Sequence, residues 1–304
     1  MQFILRRLAC LFLALYAFLS IPAWAREPAV AAVAAPVEKA VPALWQVSDA
    51  DTTIWLFGTI HALPPGIDWF HGPVREAFDG SQELVTEISD TDPLEMQRLI
   101  LAHAALPPGQ TLRDMLTPEL RSAYEAQLGH LALPAQAFDG FEPWYAAIAL
   151  STLPLSRTGY DAKHGVEQTL GARARELGHR HSALETPAYQ IGLFDSLPVE
   201  AQKRYFAEVV GKLPTVADDL GRIVAAWHKG DAEELARLMN AEEDDPALLE
   251  MLLINRNKAW AAWIAQRLDE PGTVFVAVGA GHLAGPGSLQ EQLAARGIVT
   301  RRVQ

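Results

Sequence analysis

The sequence predicts an α/β or α+β fold, with a central mixed sheet formed by the N- and C-terminal segments and a large helical insertion between them. Strand patterns lie near both ends of the chain, at residues 44–47, 53–57 and 273–278. The last of these is almost uniformly apolar, which is typical of a strand covered on both faces of its sheet. The middle of the chain has helical patterns instead. With 50% hydrophobic and 20% charged residues in 304, the chain can bury a large core.

The first 25 residues have the pattern of a secretory signal peptide. Arg6 and Arg7 form a positive start before the apolar residues 8–21, and an Ala-Trp-Ala cleavage site follows at residues 23–25. We therefore predict a signal peptide at residues 1–25 and a periplasmic or secreted mature protein. An uncleaved membrane anchor is the alternative, although the apolar run is short for a bilayer span.

Composition and charge limit what the mature chain can do. Residues 26–43 are rich in Ala, Val and Pro, which predicts a linker before a single domain at residues 44–304. No later segment has the pattern of a membrane span, so we expect none after signal removal. The net charge of −12 argues against nucleic-acid binding. Cys10 is the only cysteine and lies in the predicted signal peptide, which excludes thiol chemistry in the mature chain.

The predicted domain begins with sheet elements. A polar turn separates the strands at residues 44–47 and 53–57. A short helix at residues 72–79 then leads into a strand at residues 83–88. The sequence Thr-Pro-Glu at residues 117–119 predicts a helix start, because it combines a capping hydroxyl, a proline at the first helical position and an acid near the positive helix end.

The insertion is predicted to be mostly helical. Apolar periodicity predicts helices at residues 143–151, 166–177, 199–210, 216–228 and 255–268. One further strand is predicted at residues 181–185. The C-terminal segment then returns to a strand–helix–strand pattern, with its helix at residues 287–295 and its last strand at residues 298–303.

Two predicted strands run into the same motif, Gly-x-x-His. The first motif begins at Gly58 and ends at His61, and the second begins at Gly279 and ends at His282. Ligands of α/β sheets bind at the carboxyl ends of strands, and a glycine there lets backbone and substrate approach closely. A third match ends at His181, where a strand begins instead. Each histidine alone is equally a hydrogen-bonded loop residue, but the matched pair favours a site.

Glu87 adds a carboxylate near the end of the strand adjacent in sequence to His61. Two imidazoles and a carboxylate suit Zn, Mn, Co or Fe, with positions left open for water and substrate. These donors predict a metal held by His61, His282 and Glu87. A salt bridge at the strand end is the alternative for Glu87.

Together these residues resemble the TraB/PrgY/GumN family over residues 44–303. The matching residues are Trp-Leu-Phe-Gly-Thr-Ile-His at 55–61, Glu87, Gly-Val-Glu at 165–167, Leu-Glu-Thr at 184–186, Arg256, Asn257, Trp260 and Val-Gly-Ala-Gly-His-Leu at 278–283. That family is similar to the Tiki-type metalloproteases and, more remotely, to the erythromycin esterase (EreA) and ChaN haem-binding fold. The resemblance implies an EreA/ChaN-like sheet and a metal-dependent, peptidase-like site with an arginine nearby, which corresponds here to Arg256.

Arg256 and Glu185 complete the expected catalytic set. The Arg256 guanidinium is expected to stabilise the oxyanion of a tetrahedral intermediate, with a salt bridge to Glu87 or Glu185 as the alternative. Glu185 is expected to relay a proton or to orient a histidine. Glu167, at the start of a predicted helix, is equally a helix-terminus residue, a partner of a metal ligand or a catalytic group.

We therefore expect an exported, metal-dependent hydrolase, peptidase-like, in which Mn, Co or Zn activates a water for attack on an amide or ester. Glu87, Arg256 and Glu185 are the expected catalytic residues, and the substrate is a peptide or small molecule. One alternative is a non-catalytic protein of the same fold that binds haem, metal or peptide, and a Soret band would identify haem. The other is a metal-free, esterase-like hydrolase with a histidine as general base, which a chelator would not inhibit.

Overall fold

A computed structural model describes residues 39–89, 92–239 and 246–304 of the chain. The predicted signal peptide and most of the predicted linker lie outside these residues. Six strands form one sheet in the described part of the chain. They are β1 (Leu44–Ser48), β2 (Thr52–Thr59), β3 (Glu83–Thr86), β4 (Arg180–Ala183), β5 (Gly272–Gly279) and β6 (Arg301–Arg302). The sheet is mixed and drawn from both chain ends, as predicted.

The two chain ends meet at the centre of the sheet. The strand order is β4-β3-β5-β2-β1-β6, so the apolar C-terminal strand β5 lies between β3 and β2. The pairs β2–β5, β3–β5 and β3–β4 are parallel, whereas β1 pairs antiparallel with β2 and with β6. The parallel strands β4, β3, β5 and β2 therefore all end at the same edge of the sheet.

The last strand is shorter than the predicted 298–303. Only Arg301 and Arg302 pair with β1 in ladder register. Ile298 does not pair with a strand; its N–H donates to the carbonyl of Leu293, at the C-terminal end of the preceding helix. Val299 is 81% exposed and covers no core. The prediction for residues 298–300 was wrong because an apolar pattern cannot distinguish a helix-ending residue from a strand residue.

The helices cover both faces of the sheet and build the insertion. They are α1 (Gly72–Asp79), α2 (Pro93–Ala104), α3 (Pro118–His130), α4 (Pro143–Thr152), α5 (Val166–Leu177), α6 (Pro187–Asp195), α7 (Val199–Lys212), α8 (Val216–His228), α9 (Ala232–Met239), α10 (Pro246–Leu249), α11 (Asn255–Arg267) and α12 (Leu289–Ala294). A π-helical segment, Glu250–Ile254, leads into α11. Thr117 caps α3 as predicted, accepting from the Leu120 N–H.

Three apolar cores hold these layers together. One lies between the sheet and helices α1, α5, α8 and α9, and includes Phe57, Phe275 and Trp227. The second lies on the opposite face under α11 and α12, and includes Val276 and Trp260. The third belongs to the insertion and is built around α4 and α7. The edge where the parallel strands end is thus flanked by helices on both faces.

Ordered packing begins before the predicted start at residue 44. Lys39 forms a parallel bridge with Asp68, and Ala40 is fully buried. The Val41 N–H donates to the carbonyl of His228 at the end of α8. Residues 39–43 therefore pack against the domain. None of the helices in the described ranges is long and apolar enough to cross a membrane.

Gly58 lets the two motif segments pack directly against each other. A Cβ at Gly58 would lie 3.0 Å from the Ala280 Cα and 3.1 Å from its Cβ. Ala280 begins the 3₁₀ helix Ala280–Leu283, which contains His282. The contacting atoms are at or next to the backbone, so they cannot move aside as a flexible side-chain end could.

We expect Gly58→Ala to lower the free energy of unfolding by about 1–3 kcal/mol, the usual cost of overpacking a core. Gly129→Ala is the matched control, because Gly129 lies in α3 with nothing near its Cβ position, and a helical alanine is favoured over glycine. Urea unfolding of both variants measures the effect. Equal stabilities for Gly58→Ala and the wild type would contradict the close packing.

Candidate active site

Each of the four parallel strands delivers one predicted site residue to the common edge of the sheet. Glu185 follows β4, Glu87 follows β3, His282 follows β5 and His61 follows β2. The order of these residues across the edge is the order of the strands. The ladder continues past the strand ends, since the Glu185 N–H donates to the Glu87 carbonyl at 2.8 Å. The sheet thus holds the backbones of both carboxylates in register.

Arg256 joins this edge from the first turn of α11 and is 5% exposed. Its Nη2 donates to Glu87 Oε2 at 2.5 Å and to Glu185 Oε2 at 2.8 Å. Its Nε donates to Glu185 Oε1 at 2.9 Å. Its Nη1 lies 3.2 Å from the Leu252 carbonyl and 3.1 Å from His282 Nε2. A guanidinium has five N–H donors, so every donor of Arg256 is used.

Glu185 is held by more than the arginine. The indole of Trp260 donates to Glu185 Oε1 at 2.9 Å, and Gln190 Nε2 donates to Oε2 at 2.9 Å. The same Gln190 Nε2 lies 3.1 Å from Glu87 Oε2. The Arg256 guanidinium also stacks over Trp260, with its Cζ 4.7 Å from the ring centroid. Glu185 is therefore a fixed partner of Arg256.

Glu87 is an ionised carboxylate inside the protein. Its Oε1 accepts from the Gly279 N–H at 2.7 Å, and the residue is 6% exposed. Burial alone would raise the pKa of Glu87, but the neighbouring Arg256 charge and the Gly279 N–H hold that pKa well below its usual range. A Cβ at Gly279 would lie 3.2 Å from Oε1, so the glycine leaves room for the carboxylate.

His282 is a neutral imidazole of defined tautomer. Asn257 Nδ2 donates to the Gly287 carbonyl, so Asn257 Oδ1 faces His282 Nδ1 at 2.8 Å and accepts a hydrogen bond from its N–H. Nε2 is then left with a lone pair, which lies toward Arg256 and 4.0 Å from Glu87 Oε1. Burial and the neighbouring Arg256 charge lower the pKa of His282 to about 3.

His61 lies at the most open side of the site. Its side chain is 17% exposed, against 4% for His282. Nδ1 lies 2.5 Å from Oε1 of Glu167, in the first turn of α5. Burial lowers the pKa of His61, but the carboxylates of Glu167 and Glu87 outweigh it and leave the pKa raised above its ordinary value. Glu167 is thus the partner that orients this ring.

Comparison with known proteins places the chain in a family. The model of the TraB/PrgY/gumN family matches residues 43–302. The chain belongs to the TraB/PrgY/gumN family. A relative from Treponema pallidum (strain Nichols), described only as an uncharacterized protein, is 23% identical over 264 residues, covering 81% of this chain and 78% of its own. No solved structure matches the chain significantly.

The predicted residues lie together in this TraB/PrgY/gumN protein, but their side chains are not arranged as a set of metal ligands. In the described ranges, no group of three or more His, Cys, Asp or Glu side chains is assembled closely enough to hold a metal ion. The Arg256 guanidinium lies among the expected ligands and contacts both Glu87 and His282. The donor chemistry still fits a first-row divalent ion. The Nδ1 atom of each imidazole lies within hydrogen-bond distance of a side-chain oxygen. Histidines that bind a metal through Nε2 usually have such a partner on Nδ1.

Sequence reasoning missed Gln190 altogether and gave no role to Asn257 or Trp260. Gln190 lies on α6, where it is 4% exposed; its contact with Glu87 spans 103 residues of chain, whereas Glu185 is a local neighbour five residues away. A signal was present, because Thr186 caps α6 directly after Glu185 and places a polar residue one turn into an apolar helix. His181, set aside as a site residue, pairs with Thr86 Oγ1 at 2.9 Å.

Glu87 makes the stability of this TraB/PrgY/gumN protein depend on pH. Because its pKa is depressed in the folded state, its contribution is present above the unfolded-state pKa of about 4.3 and is lost as the pH falls below it. In chelator-treated protein, the free energy of unfolding of Glu87→Gln should therefore fall less than that of the wild type between about pH 6 and pH 3. Urea unfolding across this range measures it.

A Glu87→Gln protein whose stability falls with pH as steeply as that of the wild type would contradict a paired, ionised Glu87.

Proposed function

We propose that this TraB/PrgY/gumN protein is an exported, divalent-metal-dependent hydrolase that cleaves amide or ester bonds, with peptides as the favoured substrates. The supporting observation is the convergence at one sheet edge of an ionised carboxylate, two imidazoles with anchored Nδ1 atoms and a buried guanidinium. Such groups are the parts of a hydrolytic site that activates a water and stabilises negative charge. Export is proposed from the signal-peptide pattern of residues 1–25.

His61, His282 and Glu87 would hold the ion. When bound, a divalent ion supplies Lewis acidity that polarises a carbonyl and acidifies water. Glu87 has two oxygens, so one can remain with Arg256 and the Gln190 amide while the other serves as a ligand. His282 Nε2 has a single lone pair, which now accepts from Arg256 Nη1. Using this lone pair as a ligand therefore requires that the Arg256 contact be released.

The release of that contact gives Arg256 its proposed role. Four of its five donor contacts go to carboxylates or to a backbone carbonyl, and those acceptors can keep them. If a metal ion binds His282 Nε2, the N–H of Arg256 Nη1 that now donates to this nitrogen becomes free. A free N–H on a buried cation is suited to stabilise a carbonyl oxygen that gains negative charge. Glu185 accepts hydrogen bonds from Nε and Nη2 of the same guanidinium through its two carboxylate oxygens. We therefore assign Glu185 the role of positioning Arg256 rather than that of relaying a proton.

A metal-free hydrolase is the second candidate, and one observation favours it. His61 and Glu167 form an imidazole–carboxylate pair at 2.5 Å on the open side of the site, which is the arrangement of a general base and its orienting acid. In that mechanism Glu167 stabilises the imidazolium and the metal has no role. Activity that survives complete removal of divalent ions would favour this candidate.

Metal content tests the proposed ligands. With chelator-stripped protein reloaded with Mn²⁺, Co²⁺ or Zn²⁺, His61→Ala and His282→Ala should each lose most of the bound ion, because the remaining imidazole and carboxylate seldom hold a divalent ion tightly. Elemental analysis of folded, desalted protein gives the occupancy.

His103→Ala is the matched control for these two variants. His103 Nδ1 lies 2.7 Å from Asp195 Oδ2, so it has the same imidazole–carboxylate arrangement away from the site. This variant should retain the wild-type metal content. Equal occupancy in all three folded variants would refute His61 and His282 as ligands.

Arg256→Lys separates charge from geometry. Lysine keeps the positive charge but lacks the planar fork that serves several acceptors at once. We expect metal content to persist and turnover of a fluorogenic peptide library to fall by about 10²- to 10³-fold, the usual loss for one oxyanion donor. Thermal stability is measured on the same preparation. Near-wild-type turnover per metal-loaded site, with only stability lowered, would reduce Arg256 to a structural partner of the two glutamates.

A further inference from the structure

We propose that the hydroxyl of Thr59 is a substrate-contacting group of this site and donates a hydrogen bond to the carbonyl oxygen of the bound amide or ester. Thr59 is the last residue of β2 and lies two residues before His61. It is 2% exposed, and its Oγ1 has no hydrogen-bond partner among the residues that the structure describes. The inference rests on the function proposed above and adds a residue to it.

The register of the sheet shows where this hydroxyl lies. Thr59 pairs with Gly279 of β5, and the preceding pair on the same face, Phe57 with Ala277, lies in the core under α1, α5 and α8. Side chains in register on adjacent parallel strands point to the same face, with the strands about 4.8 Å apart. The Thr59 side chain is therefore the direct neighbour of the position that a Gly279 side chain would fill.

That position belongs to the site. A Cβ at Gly279 would lie 3.2 Å from Glu87 Oε1 and 3.6 Å from His282 Cδ2. The register therefore places the hydroxyl beside the Glu87 carboxylate and the His282 ring, which both pack against Gly279. It also lies on the face of the sheet occupied by α5, which carries the Glu167 partner of His61. His61 marks the more open approach to the site.

Thr59 differs from two other buried threonines of the sheet, because their hydroxyls each have a hydrogen-bond partner in the structure. Thr52, at the opposite end of β2 and also 2% exposed, donates to the Glu270 carbonyl at 2.9 Å. Thr86, 5% exposed at the end of β3, donates to the Ile88 carbonyl at 2.8 Å. A buried hydroxyl without a partner is disfavoured, and valine would fill the same place on a strand without that cost.

A shortage of donors explains what the hydroxyl would do. Of the five N–H groups of Arg256, only the one that now donates to His282 would be freed by a bound ion, and the Gly279 N–H is taken by Glu87. The Thr59 hydroxyl can rotate and donate without breaking a contact recorded in the structure. A carbonyl oxygen that enters beside Glu87 and His282 is an acceptor and needs such a donor. We therefore place the carbonyl of the scissile bond, rather than a cation, against Thr59.

Three variants test the proposal in metal-reloaded protein: Thr59→Val, Thr59→Ser and, as the matched control, Thr52→Val. Thr59→Val should lower kcat/KM on a fluorogenic peptide library by about 10²-fold, with metal content unchanged and Tm equal to or above that of the wild type. Thr59→Ser keeps the hydroxyl and should retain most of the activity. Thr52→Val loses an internal hydrogen bond, so its Tm should fall while kcat/KM stays at the wild-type value.

Each other result overturns the proposal in a recognisable way. Wild-type kcat/KM in Thr59→Val shows that the hydroxyl does not contact the substrate, although the proposed hydrolase stands. A Tm lowered as in Thr52→Val, with activity reduced only in proportion to unfolded protein, shows that the hydroxyl has a structural partner. A wild-type protein that cleaves no peptide with any of the three ions overturns the proposed function, and the role of Thr59 with it.

Discussion

The buried ion cluster of Arg256 with Glu87 and Glu185 is the interaction on which the rest of the site depends. Two carboxylates at the ends of adjacent strands would repel each other and could not stay ionised in an apolar interior. A single guanidinium between them makes their burial possible, because its planar fork serves both at once. Its remaining donors reach a carbonyl of the π-helical segment and a ring nitrogen of His282. Removing this cation would leave two uncompensated charges in the core.

The cluster links the halves of the fold. Glu87 and His282 come from the central sheet, Gln190 from the insertion, and Arg256 from the helix that precedes β5. Strand order alone brings the four strand-end residues together, since parallel strands end at one edge. The second layer, made of Asn257, Glu167 and Trp260, then fixes ring orientations and the position of Glu185. The sheet thus positions the strand-end residues, and the helices supply the Arg256 charge and the partners that orient the histidine rings and Glu185.

Much of this could be predicted from sequence because the informative signals are local. The apolar strand β5 and the paired Gly-x-x-His motifs are contiguous patterns, and they placed Gly58, Gly279 and both histidines at strand ends. Helices α2, α6, α9 and α10 were not predicted, although Asp92 before Pro93 and Thr186 before Pro187 are helix-start signals. The contact of Gln190 with Glu87 could not be found this way, because it spans 103 residues. The way in which Arg256 shares its five donors also depends on several separate elements at once.

In the proposed site, both imidazoles and Glu87 bind a divalent ion once the Arg256 contact with His282 is released. X-ray absorption at the metal edge of the reloaded protein tests it most directly, because imidazole rings produce a scattering signature beyond the first coordination shell. We expect two imidazoles and oxygen ligands around the ion. An ion surrounded by oxygen alone, with no imidazole signature, would contradict it.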